Sequence, residues 1–254
     1  MLEKKIKDKE VTDKKLIEIK TNIINVESRI LKAIQKANRK RSDILLLAVS
    51  KTHNEQAILQ AYDQGICDFG ENYLQEALTK IEKIKKYHTE NKLQNKINWH
   101  FIGHIQSNKT KLIAENFNWV HTVERLKILK RLDEQRPKNL KKLNICFEIN
   151  LDNEPTKSGF LLNHLDALYE CIDFSKTAKN IQLRGLMSIP KKENAFELQY
   201  TKLHQLDILK NHLNKKFNLK LDTLSIGMSN DLEAAVQANS TILRIGSAIF
   251  GQRN

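Results

Sequence analysis

Leu16, Ile19, Ile23, Val26, Ile30 and Ile34 recur at intervals of three and four, the period of one apolar helical face, and predict a helix early in the chain. The pattern then changes. Ile44-Leu45-Leu46-Leu47-Ala48-Val49 is an aliphatic run without alternation, which predicts a strand buried on both faces, as in a parallel sheet. Further strand-like runs lie near 66–69, 98–102, 118–121, 143–150, 182–187, 223–226 and 242–245. Helix-like stretches separate them, clearest at 54–64, 72–86, 124–135 and 195–217. Eight strands alternating with helices in 254 residues predict an α/β fold, a single-domain (β/α)₈ TIM barrel with an extra N-terminal helix. A doubly wound open sheet is the competing count, but no GxGxxG follows any of the strands. Residues 1–14 read as a charged extension and residues 15–254 as the barrel domain.

Charge modifies this picture little. A net charge of +13 would suit a polyanion binder, yet only nine of the 43 basic residues are arginine. Arginine is the residue of bidentate phosphate and base recognition, so a diffuse lysine excess fits a solvated surface and predicts no specific nucleic-acid partner. Cys67, Cys146 and Cys171 form neither a disulfide framework nor a CxxC pattern, which points to a reducing compartment. Residues 1–15 are too charged for a signal peptide, and no run is apolar enough to cross a bilayer. The expectation is a cytoplasmic protein with no membrane partner.

Candidate chemistry clusters where the strands end. Lys51 follows the aliphatic run, a partly desolvated position from which a lysine amine can attack an aldehyde and form a Schiff base; a strand-ending lysine that merely reaches solvent is the plainer alternative. Near residue 230 the chain repeats one grammar: Ile226-Gly227-Met228-Ser229 and Ile245-Gly246-Ser247 each run from a β-rich segment through a glycine to a hydroxyl. Paired in this way they predict a phosphate cup, while taken singly Ser229 reads equally well as a helix cap and Gly246 as a tight turn. Asn230 and Glu233 also have the spacing of a helix start. Gly70, Gly103, Gly185, Gly227 and Gly246 are expected at or just past strand ends, the face on which barrels build active sites. The same face would receive Asn72, His100, His104 and Met187. His100 and His104 lack any accompanying metal-ligand spacing and read as hydrogen-bonding pocket residues. The polar loop 154–159, which carries Lys157, reads as a lid or an ordinary surface loop.

Several segments then match one family in order. They are Leu47-Ala48-Val49-Ser50-Lys51-Thr52, Phe69-Gly70-Glu71-Asn72-Tyr73, the run from Trp99 to Lys109, and Gly185-Leu186-Met187-Ser188-Ile189-Pro190. Gly227-Met228-Ser229-Asn230-Asp231 and the run from Arg244 to Gly251 complete the set. On these the chain closely resembles the pyridoxal phosphate homeostasis proteins, whose fold is the barrel domain of alanine racemase. The resemblance implies pyridoxal 5′-phosphate (PLP) held by Lys51 as an internal aldimine, with phosphate contacts from Ser229, Gly246 and Ser247 and with Arg244 facing the pyridine nitrogen. It extends the cofactor-binding set to Asn72, His100 and Met187. PLP-dependent apo-enzymes are the partners it suggests. Two departures stand out: Asn54 where many members have proline, and Asn239 where they have glycine.

Two functions follow from the resemblance. One is a binding protein for intracellular PLP homeostasis that holds the cofactor without robust catalysis. The alternative is a PLP-dependent amino-acid racemase, which needs acid/base groups on both faces of the substrate carbon. An arginine at the ring nitrogen weakens the ring as an electron sink, and the sequence stops three residues after Gly251 without the appended domain that supplies the racemases' second acid. Both points favour the binding protein, with Tyr73, His100 or Lys157 as the groups to watch for residual chemistry.

Overall fold

The computed structural model of the chain describes residues 2–91, 96–154 and 157–251. Nine parallel strands occur among them: β1 (Leu45–Val49), β2 (Asp68–Glu71), β3 (Asn98–Phe101), β4 (Trp119–Val123), β5 (Leu143–Asn150), β6 (Phe160–Leu161), β7 (Ile181–Met187), β8 (Thr223–Ser225) and β9 (Ile242–Ile245). All but β6 close into a ring in the order β1-β2-β3-β4-β5-β7-β8-β9, with β9 pairing back to β1 and β4 pairing to β5. This is the expected eight-stranded barrel. The short β6 lies outside the ring, against Ile149 and Asn150 at the end of β5, and two residues are too few to show any alternation in sequence.

Crossover helices join the strands: α2 (Glu55–Tyr62), α3 (Leu74–Glu90), α4 (Thr110–Asn116), α5 (Leu126–Gln135), α6 (Asp166–Thr177), α7 (Phe196–Phe217) and α8 (Leu232–Gln237). Ahead of the barrel runs α1 (Leu2–Lys36), and after it the single turn α9 (Ser247–Phe250). The predicted stripe holds from Ile19 onward: Ile19, Ile23, Val26, Ile30 and Ile34 are all buried as α1 packs on α8 and α9, while the side chain of Leu16 lies outside the described residues. Arg29 clamps Glu233 through two bonds of 2.7 Å, and Asn22 donates to the Ile249 carbonyl at 3.0 Å.

Alternation along each strand splits the apolar core. The larger cluster lies between sheet and helices and includes Leu46, Ala48, Phe69, Trp99 and Phe101. The smaller one, Leu47, Val49, Ile102 and Ile242, fills part of the barrel interior. Because every strand is parallel, all eight C-terminal ends open on one mouth. Gly103 sits there, where an added Cβ would lie 1.9 Å from the Asn72 carbonyl oxygen, so a side chain at this position would displace the turn that presents Asn72. Gly70 and Gly185 lie within β2 and β7 rather than past them. Asn239 takes a left-handed φ of 63° and donates to Asp207 at 2.9 Å, so asparagine serves where a glycine is the usual solution.

Candidate functional site

A cavity of about 300 Å³ opens at the mouth where the strands end. Lys51 and Asn72 reach it from the turns after β1 and β2, and Ser229, Arg244, Gly246 and Ser247 reach it from the neighbouring β8 and β9 side. Register explains the meeting: Leu47 pairs with Arg244 and Ala48 with Ile245, so the turn after β1 lies beside the turn after β9. His100 and Met187, also expected in this set, are fully buried and do not line the cavity. His100 sits mid-strand, two residues below Ile102, which does line it.

The Lys51 turn is fixed by a buried ionic cluster. Ser50 Oγ donates to Glu71 Oε1 at 2.6 Å, and Lys80 Nζ, reaching in from α3, donates to the same oxygen and to the Ser50 carbonyl, both at 2.8 Å. Lys80 also binds Glu76 Oε1 at 2.5 Å, and that oxygen accepts from the Thr52 amide at 2.6 Å. Thr52 has a φ of 66°, an unfavourable setting for a β-branched residue, so the bonds around it hold a strained turn. Burial raises the Glu71 carboxyl above its ordinary pKa, more than Lys80 and Ser50 lower it. Asn54 caps α2 by accepting from the Ala57 amide at 3.1 Å, a role no proline could fill. Lys80 carries no sequence signal, since one lysine among many on a helix reads as solvent-facing.

On the opposite side, Gly227 adopts φ 97°, and the Met228 amide donates to Asp231 Oδ1 at 2.6 Å. Asp231 is the N-cap residue of α8, so neither Ser229 nor Asn230 has the capping role their spacing allowed. Ser229 Oγ instead approaches Ser247 Oγ at 3.4 Å across the cavity wall. Glu233 is committed to Arg29 rather than to a capping box.

Arg244 is 4% exposed. Its Nη1 donates to the Ser225 carbonyl and, at 2.8 Å, to Ser225 Oγ; its Nη2 donates to the Ser188 carbonyl at 2.9 Å. Burial lowers its pKa to about 10, opposed by the charges of Asp231 and Glu148. Glu148 in turn is raised to about 7 by burial and by Glu124, against the pull of Arg244. Behind Ser225 the bonds continue inward: His121 Nδ1 lies 2.8 Å from Ser225 Oγ, His121 Nε2 lies 3.0 Å from His100 Nδ1, and His100 Nε2 lies 3.0 Å from Asp68 Oδ1.

The outer rim is basic, with Lys191, Lys192 and Lys202 among its lining. Asp152 organises it, accepting from Lys157 Nζ at 2.8 Å and from the Lys191 amide at 2.6 Å, and lying 2.8 Å from Lys202 Nζ. Burial would raise the Asp152 carboxyl, but these donors outweigh it and hold the group at about 2. Lys157 is thereby tied down in an ion pair; Pro155 and Thr156 of the same loop lie outside the described residues. His104 is exposed, with Ser158 Oγ 3.5 Å from its Nδ1.

The alanine racemase N-terminal domain family matches residues 25–254. A pyridoxal phosphate homeostasis protein of Pseudomonas aeruginosa is 47% identical over 236 residues, which cover 93% of this chain and 96% of that protein. The protein of the same name from Vibrio cholerae is 46% identical, covering 93% and 97%. Among solved structures, PipY of Synechococcus elongatus with PLP bound superposes with a TM-score of 0.76 at 30% identity, covering 92% of this chain and 100% of that one.

Proposed function

The chain belongs to the pyridoxal phosphate homeostasis proteins, of the alanine racemase N-terminal-domain type, and its ligand is PLP; we propose that Lys51 holds that cofactor covalently and that the protein stores and releases it rather than turning over amino acids. One observation carries the reading: a strand-end lysine, two facing hydroxyls and a buried arginine line a single cavity of about 300 Å³. The donor set fits the group. Ser229 and Ser247 offer hydroxyl donors beside Gly246 for a phosphate, and the basic rim adds favourable charge. Asn72 Oδ1 is buried without a protein partner in the cavity wall, a polar atom left for a ligand. When bound, PLP supplies an aldehyde that condenses with amines and a ring that accepts electron density.

The side chains then divide the work. Lys51 presents its amine from a turn that the Lys80 cluster holds rigid. Arg244 only donates, so beside a ring nitrogen it would not lend a carboxylate's support for protonation. Of the groups that would carry a second proton, Tyr73 is 54% exposed, His100 is sealed below the cavity and Lys157 is paired with Asp152. None of the three lines the cavity, which supports binding over racemisation. Delivery to PLP-dependent apo-enzymes in the cytoplasm is the role we assign to the released cofactor, in keeping with three free cysteines.

The purified protein should absorb in the visible, and borohydride should fix the cofactor to the peptide containing Lys51. Lys51→Ala should abolish the band yet retain weak binding through the phosphate contacts. Mapping the reduced adduct to another lysine would remove the covalent assignment, and robust amino-acid turnover abolished by Lys51→Ala would make the protein an enzyme.

A further inference from the structure

Barrel interiors are usually filled by branched aliphatic side chains. Here part of the interior is polar: Arg244, Ser225, His121 and His100 are buried together, and the bonds that join them end on Asp68. Polar core groups of this kind can often be replaced by apolar ones at no loss of stability, so folding alone does not account for them. We propose that Asp68, His100, His121 and Ser225 are positioning residues that hold the Arg244 guanidinium against the cofactor and offset its charge from the opposite mouth of the barrel.

Donor bookkeeping gives the chain a direction. An ionised Asp68 only accepts, so His100 carries its proton on Nε2 and offers Nδ1 as an acceptor. His121 must then donate from Nε2 and accept at Nδ1, which requires the Ser225 hydroxyl to donate to it. Ser225 Oγ is left to accept from Arg244 Nη1. Every acceptor lone pair points towards Arg244 and every proton towards Asp68. Aligned in this way, the dipoles stabilise a cation at one end and an anion at the other. Both imidazoles must be neutral for the pattern to hold, and burial lowers the pKa of each, against the pull of Asp68 at His100 and with the positive charge of Arg244 adding to the effect at His121.

The two ends lie at opposite mouths of the barrel. Asp68 is the first residue of β2, at the mouth opposite the cavity, and its side chain keeps 15% exposure. Arg244 lines the cavity. Among the described residues no carboxylate lies within ion-pair distance of Arg244, so its direct contacts are dipolar and the charges of Asp231 and Glu148 act on it from farther off. Trp119 stacks on His100 at 5.5 Å with planes 4° apart, which fixes the ring whose orientation the chain depends on.

This inference rests on the reading that Arg244 faces the bound ring. Two arms test it. In the cofactor-free protein, nitrogen NMR should show both imidazoles neutral with the proton on Nε2, and Asp68→Asn should change the His121 and Ser225 signals as well as those of His100. In the PLP-loaded protein, Asp68→Asn and Ser225→Ala should shift the visible band, and Ser225→Ala should weaken PLP binding roughly tenfold. Arg244→Lys is the reference. If Arg244→Lys moves the band while Asp68→Asn and Ser225→Ala leave band and affinity as in the parent, the positioning role is wrong and the cofactor reading stands. If none of the three moves the band, Arg244 does not face the ring and both fall. Circular dichroism of each variant separates these outcomes from misfolding.

Discussion

Lys80 and Arg244 are both buried cations, one beneath each side of the cavity, and the fold settles them by opposite means. Lys80 is matched by carboxylates, with Glu71 and Glu76 at 2.8 and 2.5 Å. Arg244 is matched by two carbonyls, a hydroxyl and a line of imidazoles that ends on a distant aspartate. The ion-paired side pins backbone: its bonds end on the Ser50 carbonyl and the Thr52 amide, the residues that flank Lys51. The dipole-matched side leaves a formal charge beside the cavity for a ligand to use. The roles proposed for Lys51, which needs accurate placement, and for Arg244, which needs to stay electronically available, call for these different surroundings.

The comparison can be broken most sharply at Lys80. Lys80→Met leaves the buried Glu71 without its cation and should cost about 3–5 kcal/mol in urea unfolding. Adding Glu71→Gln should recover much of that loss, because the uncompensated charge goes with it. Equal losses in the single and double variants would show that the cluster is not acting as an ion pair.

Ser229→Ala tests the other side. It should weaken PLP binding by about 1.5–3 kcal/mol in a cofactor titration and leave the melting of the cofactor-free protein unchanged, since Ser229 caps no helix. A stability loss with unchanged affinity would reverse that assignment.

Proton linkage separates the sides further. Glu148, near Arg244, is raised to about 7, so the folded state holds a proton that the unfolded chain has released above about 4.5. Its contribution to stability is therefore present at low pH and lost as the pH rises through about 7. Glu148→Gln should match the parent in melting temperature near pH 4 and exceed it at pH 8, by an amount worth about 3 kcal/mol. A constant difference across that range would place the carboxylate in ordinary surroundings. The smallest effect belongs to the helix that follows Lys51: Asn54→Ala removes the α2 cap and should cost about 1 kcal/mol in thermal melts, with PLP affinity kept.

Much of this arrangement was legible in the sequence. The aliphatic run at 44–49 and the alternation of strand and helix predicted the barrel, because a strand covered on both faces leaves a compositional mark. Lys51, Asn72, Ser229, Arg244, Gly246 and Ser247 were placed because residues after parallel strands converge on one mouth. Depth was not legible. His100 and Ile102 point the same way from one strand region, and only the packed barrel shows that the histidine lies a layer lower. The two buried networks were invisible for a related reason: His121 and Ser225 are 104 positions apart, and Ser50 and Lys80 are 30 apart on different elements. No spacing rule spans such separations.

The pairing of Leu47 with Arg244 has a consequence for how the protein is made. Residues near 50 leave the ribosome long before residues near 245, so on the proposed site the nascent chain carries the Lys51 amine well ahead of the Ser229 and Ser247 hydroxyls. Cofactor capture at full affinity must wait until β9 zips onto β1 and closes the ring, a non-local and therefore slow event. On the proposed site PLP would bridge the last seam to form, binding the finished barrel and not its precursors, and it should slow the reopening of that seam once in place.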